Sequence, residues 1–179
     1  MRRWLLAPFL RDRSGATGVE FAMLALPFAF VTFAILESCI SFAGSQVLAN
    51  ATENLAREIR TGRLKAADIT ESGLKTRLCE DIEIMVVSKN CEDSMIVDLR
   101  EFPTFEEAAK VRVRITSTGE IDETGIDVKP GMSQSKNMLR VFYRWPVLTD
   151  FLRASMSNLK DGTSLHFATV TWQNEPFDD

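Results

Sequence analysis

Soft metal ligands are scarce in this chain. One histidine and three cysteines among 179 residues are too few for a transition-metal centre without carboxylate help. A basic excess is lacking too. The 21 Lys+Arg are outnumbered by 25 Asp+Glu, and a net charge of −4 argues against the basic face of a nucleic-acid-binding protein. There is no glycine-rich loop to cradle a phosphate, and no serine in a glycine elbow with a suitable base. No internal repeat or low-complexity tract interrupts the chain. These absences leave no argument for catalysis and call for no cofactor. What is present is a 45% share of apolar residues, too rich for a disordered chain, in a length that suits one modest domain.

The apolar excess is concentrated near the amino terminus. Residues 1–15 hold four of the 21 basic and one of the 25 acidic residues, a charge of +3; the remaining 17 Lys+Arg and 24 Asp+Glu leave −7 on residues 16–179. After Glu20, Phe21 to Leu36 contains no charge, and after Glu37 none follows until Glu53. A helix from Phe21 to about Ala43 would be roughly 35 Å long, enough to cross a ~30 Å hydrocarbon core. Arg2, Arg3, Arg11 and Arg13 immediately before it mark the amino-terminal side as cytoplasmic and send the rest of the chain outward. Pro27 predicts a kink, because it removes a backbone donor and displaces the carbonyl of Met23. Glu37, at the outer edge of the run, is expected to face solvent.

Three processing fates compete. A secretory signal would have a shorter apolar core; Ser41-Phe42-Ala43 offers a small-x-small cut site, but the run is long and begins late. A lipoprotein signal would want a small uncharged residue where Glu37 stands in Leu36-Glu37-Ser38-Cys39. The third fate rests on Gly15-Ala16-Thr17-Gly18-Val19-Glu20-Phe21. Here a basic leader ends in glycine, and Glu-Phe opens a hydrophobic helix at the fifth and sixth positions beyond it. The string GATGVEFAMLALPF resembles the processing site of type IV prepilins and, with Glu-Phe at those positions, TadE-like minor pseudopilins of the tight-adherence (Flp-type) pilus system. The resemblance implies cleavage between Gly15 and Ala16 by a prepilin peptidase on the cytoplasmic side. It implies assembly and recognition roles for Glu20 and Phe21, and as partners the inner membrane, other minor and major pilins and the inner-membrane pilus platform.

The chemistry of Glu20 points the same way. A carboxylate drawn to the centre of a bilayer costs about 2.5–3.5 kcal/mol, while the dipole near a helix amino terminus returns only about 0.3–1 kcal/mol. A cut after Gly15 creates a positive partner, the α-amine of Ala16, one helical turn before Glu20. The resemblance implies that the amine of an incoming subunit pairs with this glutamate in a neighbour. The cut would also remove four arginines that resist extraction of the helix from the membrane. The plainer alternative is an ordinary anchor with Glu20 at its interface.

Beyond the membrane the pattern becomes amphipathic. Val47, Ala51, Leu55 and Ile59 recur every four residues, with Leu48 and Ala56 beside them and Glu53, Arg57, Glu58 and Arg60 on other faces. This predicts one helix from about Ala16 to Thr61, stopped at Gly62. Asp68-Ile69-Thr70-Glu71 reads as a capping box before a second helix with Leu74, Leu78 and Ile82 on one face. Period-two runs at Met95–Leu99, Val111–Ile115, Leu139–Trp145 and Leu165–Thr171 predict four strands, with Asp98, Arg112, Arg114, Arg140 and Arg144 on a charged face. Short helical connections are expected over Phe105–Ala109 and Val147–Ser155, and a long polar loop over Glu120–Asn137. The fold expected is α+β: a long amino-terminal transmembrane and amphipathic helix packed on a mostly antiparallel β-sheet head, as in pilins. Its divisions are a basic leader (1–15), a membrane-spanning part (16–43) and a periplasmic head (44–179).

Cys79 and Cys91 lie in the exported part, where oxidation is permitted, and a disulfide between them is expected, two reduced thiols being the alternative. His166 has no second histidine with which to share a metal and is expected to be a solvent-facing or hydrogen-bond-satisfied sheet residue. The acidic stretch Glu120 to Asp127 lacks the oxygen spacing of a calcium loop and reads as a solvated turn. The function expected is therefore a minor pseudopilin that builds or primes an adhesive pilus at a bacterial inner membrane. Its rivals are an uncleaved single-pass sensor or scaffold with a periplasmic binding domain, and a secreted enzyme released at Ala43.

Overall fold

A computed structural model describes residues 16–83 and 91–178. Gly15 lies outside the described residues, as does the leader that precedes it. Helix α1 runs unbroken over Ala16–Arg60. Two units separate along the chain, one ending at Cys39 and the other beginning at Ile40.

In the second unit the amphipathic reading of α1 holds. Leu48, Ala51, Leu55, Ala56 and Ile59 are buried, while Gln46, Asn50, Glu53, Asn54 and Arg57 keep the outer face in solvent. The helix ends in a Schellman motif. Gly62 N–H donates to the Ile59 carbonyl at 3.1 Å and Arg63 N–H to the Glu58 carbonyl at 3.0 Å, with Gly62 at φ 69°. Only glycine adopts that conformation without strain. At Gly44 the need is for space: a Cβ there would overlap the Trp145 ring, so glycine is what lets the helix backbone lie against that indole.

Helix α2, Glu71–Ile82, buries Leu74, Leu78 and Ile82 as its spacing predicts. Its cap is Thr70, whose hydroxyl accepts from Gly73 N–H at 3.1 Å. Asp68, expected to open a capping box, lies instead in a 3-10 turn over Ala66–Asp68. The sheet follows: β1 Met95–Phe102, β2 Val128–Lys129, β3 Lys136–Pro146 and β4 Thr163–Gln173, in spatial order β2-β1-β3-β4. β3 pairs antiparallel with both long neighbours, and β2 runs parallel to β1. Helix α3, Phe105–Lys110, follows β1 and α4, Asp150–Met156, follows β3. The second unit is thus α+β, with the outer half of α1 and α2 packed on one face of a four-stranded mixed sheet.

Two expectations about the strands fail. Val111–Ile115 is not a ladder strand: the place beside β1 belongs to β2, inside the presumed polar loop, and Ile115 makes only an isolated bridge to Ile121. Nor is the second face of the sheet simply solvated. Phe142, Ile121 and Leu159 form a smaller apolar cluster there, with Ile96, Ile126 and Leu165 against it. As a result β3 is buried on both faces from Asn137 to Tyr143.

Candidate membrane anchor and assembly segment

The first unit consists of the inner half of α1. Its backbone is helical throughout, with Pro27 as the one residue that has no N–H to donate, and it hides almost nothing. Phe21, Met23, Leu24, Phe28, Val31, Phe33 and Ile35 are all more than half exposed, and Phe21 is 74% exposed. A soluble protein rarely leaves so large a contiguous apolar surface in water. The helix is long and apolar enough to cross a membrane, and it lies near the amino terminus. Its polar side chains turn inward on the backbone: Thr32 Oγ1 donates to the Phe28 carbonyl at 2.9 Å and Ser38 Oγ to the Ala34 carbonyl at 2.8 Å. Each hydroxyl is thereby satisfied without water. Pro27 sits within the helix without ending it. Glu37 departs from expectation, being 5% exposed rather than solvent-facing.

Ala16 is the first described residue of the helix, and Glu20 follows one turn later with its side chain exposed. The Cβ of a helical residue tilts toward the amino terminus. The Glu20 carboxylate therefore leans toward the turn that holds Ala16, about 6 Å away along the axis. Glu20 is the only charged residue between Ala16 and Leu36. Phe21, its neighbour, projects from an adjacent face.

The head holds three polar arrangements that spacing alone does not disclose. Asp98 is fully buried and faces Arg140 across the β1–β3 ladder. Its Oδ2 accepts from Arg140 Nη2 at 2.6 Å and Nε at 2.8 Å, while Arg100 Nε stands 2.8 Å from Oδ1. Asn137 and Asn174 are buried together. Asn137 Oδ1 accepts from Gly131 N–H at 2.8 Å; Asn174 donates to the Gly131 and Met132 carbonyls and accepts from Trp172 Nε1 at 2.7 Å. This pair pins the loop before β3. Finally, His166 Nε2 lies 3.0 Å from Ser41 Oγ, and its ring stacks on Trp145 at 5.0 Å. Burial pushes the His166 pKa down from its ordinary value.

Cys79 and Cys91 form a disulfide that joins α2 to the 3-10 turn ahead of β1, and Cys39 is free and exposed. No cluster of histidine, cysteine and carboxylate side chains able to hold a metal ion occurs among the described residues. In the acidic stretch the Asp122 carboxylate accepts from Thr124 N–H at 3.0 Å. Its hydrogen bonds to Thr124, with help from the nearby Arg114 charge, hold its pKa below the ordinary value. No family model, curated protein or solved structure matches the chain.

Proposed function

We propose that this chain is a membrane-anchored, pilin-like subunit that works by assembly rather than catalysis, a minor pseudopilin of the TadE-like kind. In this reading a prepilin peptidase cuts after Gly15, and the helix waits in the inner membrane with the head in the periplasm. It then joins a pilus complex by side-by-side packing, with the platform and the other pilins as partners. Glu20 neutralises the amine of an adjacent subunit. The head, much larger than that of a Flp-type major pilin, fits a minor component that builds or primes the fibre.

The observation that carries the reading is α1 itself. One continuous helix places a solitary exposed carboxylate a turn after Ala16, follows it with an exposed surface that is apolar but for hydroxyls bonded to their own backbone, and ends in the core of a folded head. Such a surface needs lipid or other helices around it, and both are what a pilin helix meets in turn. Mass spectrometry of the protein extracted from its native membrane tests the proposal. A new amino terminus at Ala16 is expected. An intact Met1 would instead favour an uncleaved sensor or scaffold, and a soluble product starting at Gly44 a secreted protein. In a strain lacking the wild-type copy, Glu20→Gln should reduce piliation at least tenfold; normal piliation would refute the pairing.

A further inference from the structure

The head carries an excess of positive charge at one place, although residues 16–179 are acidic as a whole. A cleft of about 280 Å³ opens beside β1 and β3, lined by Arg100, Lys110, Arg112, Arg114 and Arg140, with Asp122 as its one lining carboxylate. Its apolar wall is formed by Val113, Ile121, Ile126 and Phe142.

The partners of these cations do not balance them. Arg100 and Arg140 share the carboxylate of Asp98, and only Asp127, whose carboxylate also pairs with Lys129, adds negative charge near Arg100. Lys110 is matched by Glu106 at 2.7 Å. Arg112 and Arg114 make no ion pair among the described residues, and both are exposed. They alternate with Val111 and Val113 on a segment that is fixed rather than loose. Asp122 N–H donates to the Arg114 carbonyl at 2.9 Å, Thr116 N–H to the Glu120 carbonyl at 2.8 Å, and Ile115 bridges to Ile121. The ladder does not take up this failed strand, and its two arginines instead line the cleft.

Guanidinium is the side chain whose planar fork matches carboxylate and phosphate oxygens, and four of them converge here on a volume near the lower end of small-ligand sites. We propose that this cleft binds a small organic anion bearing two or more phosphate or carboxylate groups. The site lies within the head and does not rest on the assembly reading. Arg112 and Arg114 supply the accessible forks, and Arg100 and Arg140, held in place by Asp98, line the same cleft. Recognition of this kind weakens as salt rises.

Isothermal titration of the full-length protein, held in nanodiscs of neutral lipid at low salt, tests the proposal with two probes, inorganic pyrophosphate and citrate. Saturable one-to-one binding of at least one probe is expected, and the preference between them distinguishes a phosphate ligand from a carboxylate ligand. Arg112→Gln combined with Arg114→Gln should weaken binding at least tenfold. Lys129→Gln, a cation outside the cleft, should leave it unchanged. The proposal is overturned if neither anion saturates, if the double variant binds as wild type does, or if Lys129→Gln weakens binding as much as the double variant.

Discussion

Helix α1 carries two surfaces made from the same kinds of residue. Between Val19 and Phe42 its leucines, isoleucines and phenylalanines are exposed; between Leu48 and Ile59 its leucines and isoleucine are buried. Side-chain hydrophobicity does not separate the two stretches. What separates them is interleaving. In the outer half Gln46, Asn50, Glu53 and Arg57 mark a face for water, and the opposite face finds the sheet. In the inner half Thr32 is the only hydroxyl from Phe21 to Leu36, so no face is reserved for water, and the hydroxyl is bonded to its own backbone. A helix apolar on every side is built for surroundings other than water.

The comparison can be pressed hardest at the head's buried ion cluster. Asp98→Asn keeps the shape of the side chain but leaves Arg140, which is 7% exposed, without its counter-charge. Loss of one partner from a buried pair costs about 3–5 kcal/mol, and the urea midpoint of the head should fall accordingly. An unchanged midpoint would mean that water or another acid already serves Arg140. The next largest effect sets the two halves of α1 against each other. Leu55→Ala empties part of the core and should cost about 2–5 kcal/mol. Leu24→Ala, at an exposed position, should leave the head's unfolding curve where it was and weaken membrane insertion by only about 0.5 kcal/mol. Equal losses from both substitutions would contradict the division of the helix.

Third comes the disulfide. Replacing Cys79 and Cys91 together by serine frees the twelve-residue separation between them and should destabilise the head by about 3 kcal/mol on the chain-entropy account. Membrane extraction of the protein should not change, because neither cysteine lies in the inner half of α1. Reductant added to the wild type should reproduce the shift, and a reductant-insensitive curve would show that the bond contributes nothing.

Elements whose pattern is local and long were legible in the sequence. The helix expected to end at Thr61 ends at Arg60, one residue earlier, and three of the four expected strands lie within β1, β3 and β4. What escaped was non-local. Val111–Ile115 alternates as a strand should, but alternation says nothing about a vacant edge, and two residues of β2 occupy that edge. The charges on β1 and β3 alternate as if toward solvent. Only the register that sets Asp98 opposite Arg140 reveals a buried pair. Gly44 gave no turn signal, because its role is to admit an indole from a residue a hundred positions later. For the candidate assembly segment, the charge-free run starting at Phe21 was enough to place Glu20 and Phe21 within the helix. The proposed pairing partner of Glu20 lies in another subunit, outside the geometry of one chain.

The smallest expected effect concerns His166, where the outer half of α1 meets β4. The ring is buried against Trp145, Nε2 is engaged with Ser41, and Nδ1 has no hydrogen-bond partner among the described residues. Burial disfavours the imidazolium, so the folded pKa lies below that of the unfolded chain, which is near 6.5. Between the two values the unfolded chain binds more protons, so stability is complete above about pH 6.5 and declines as pH falls through the window toward the folded pKa. The greatest slope one such group can contribute is about 1.4 kcal/mol per pH unit. Carboxylates titrate in the lower part of that range, so the informative quantity is the difference between wild type and His166→Gln. Urea midpoints at pH 7.5, 6.5 and 5.5 should show the wild type losing more stability on acidification than the variant. Parallel curves would mean that His166 gains a proton as easily in the folded head as in the unfolded chain, and that its contact with Ser41 opens to water at little cost.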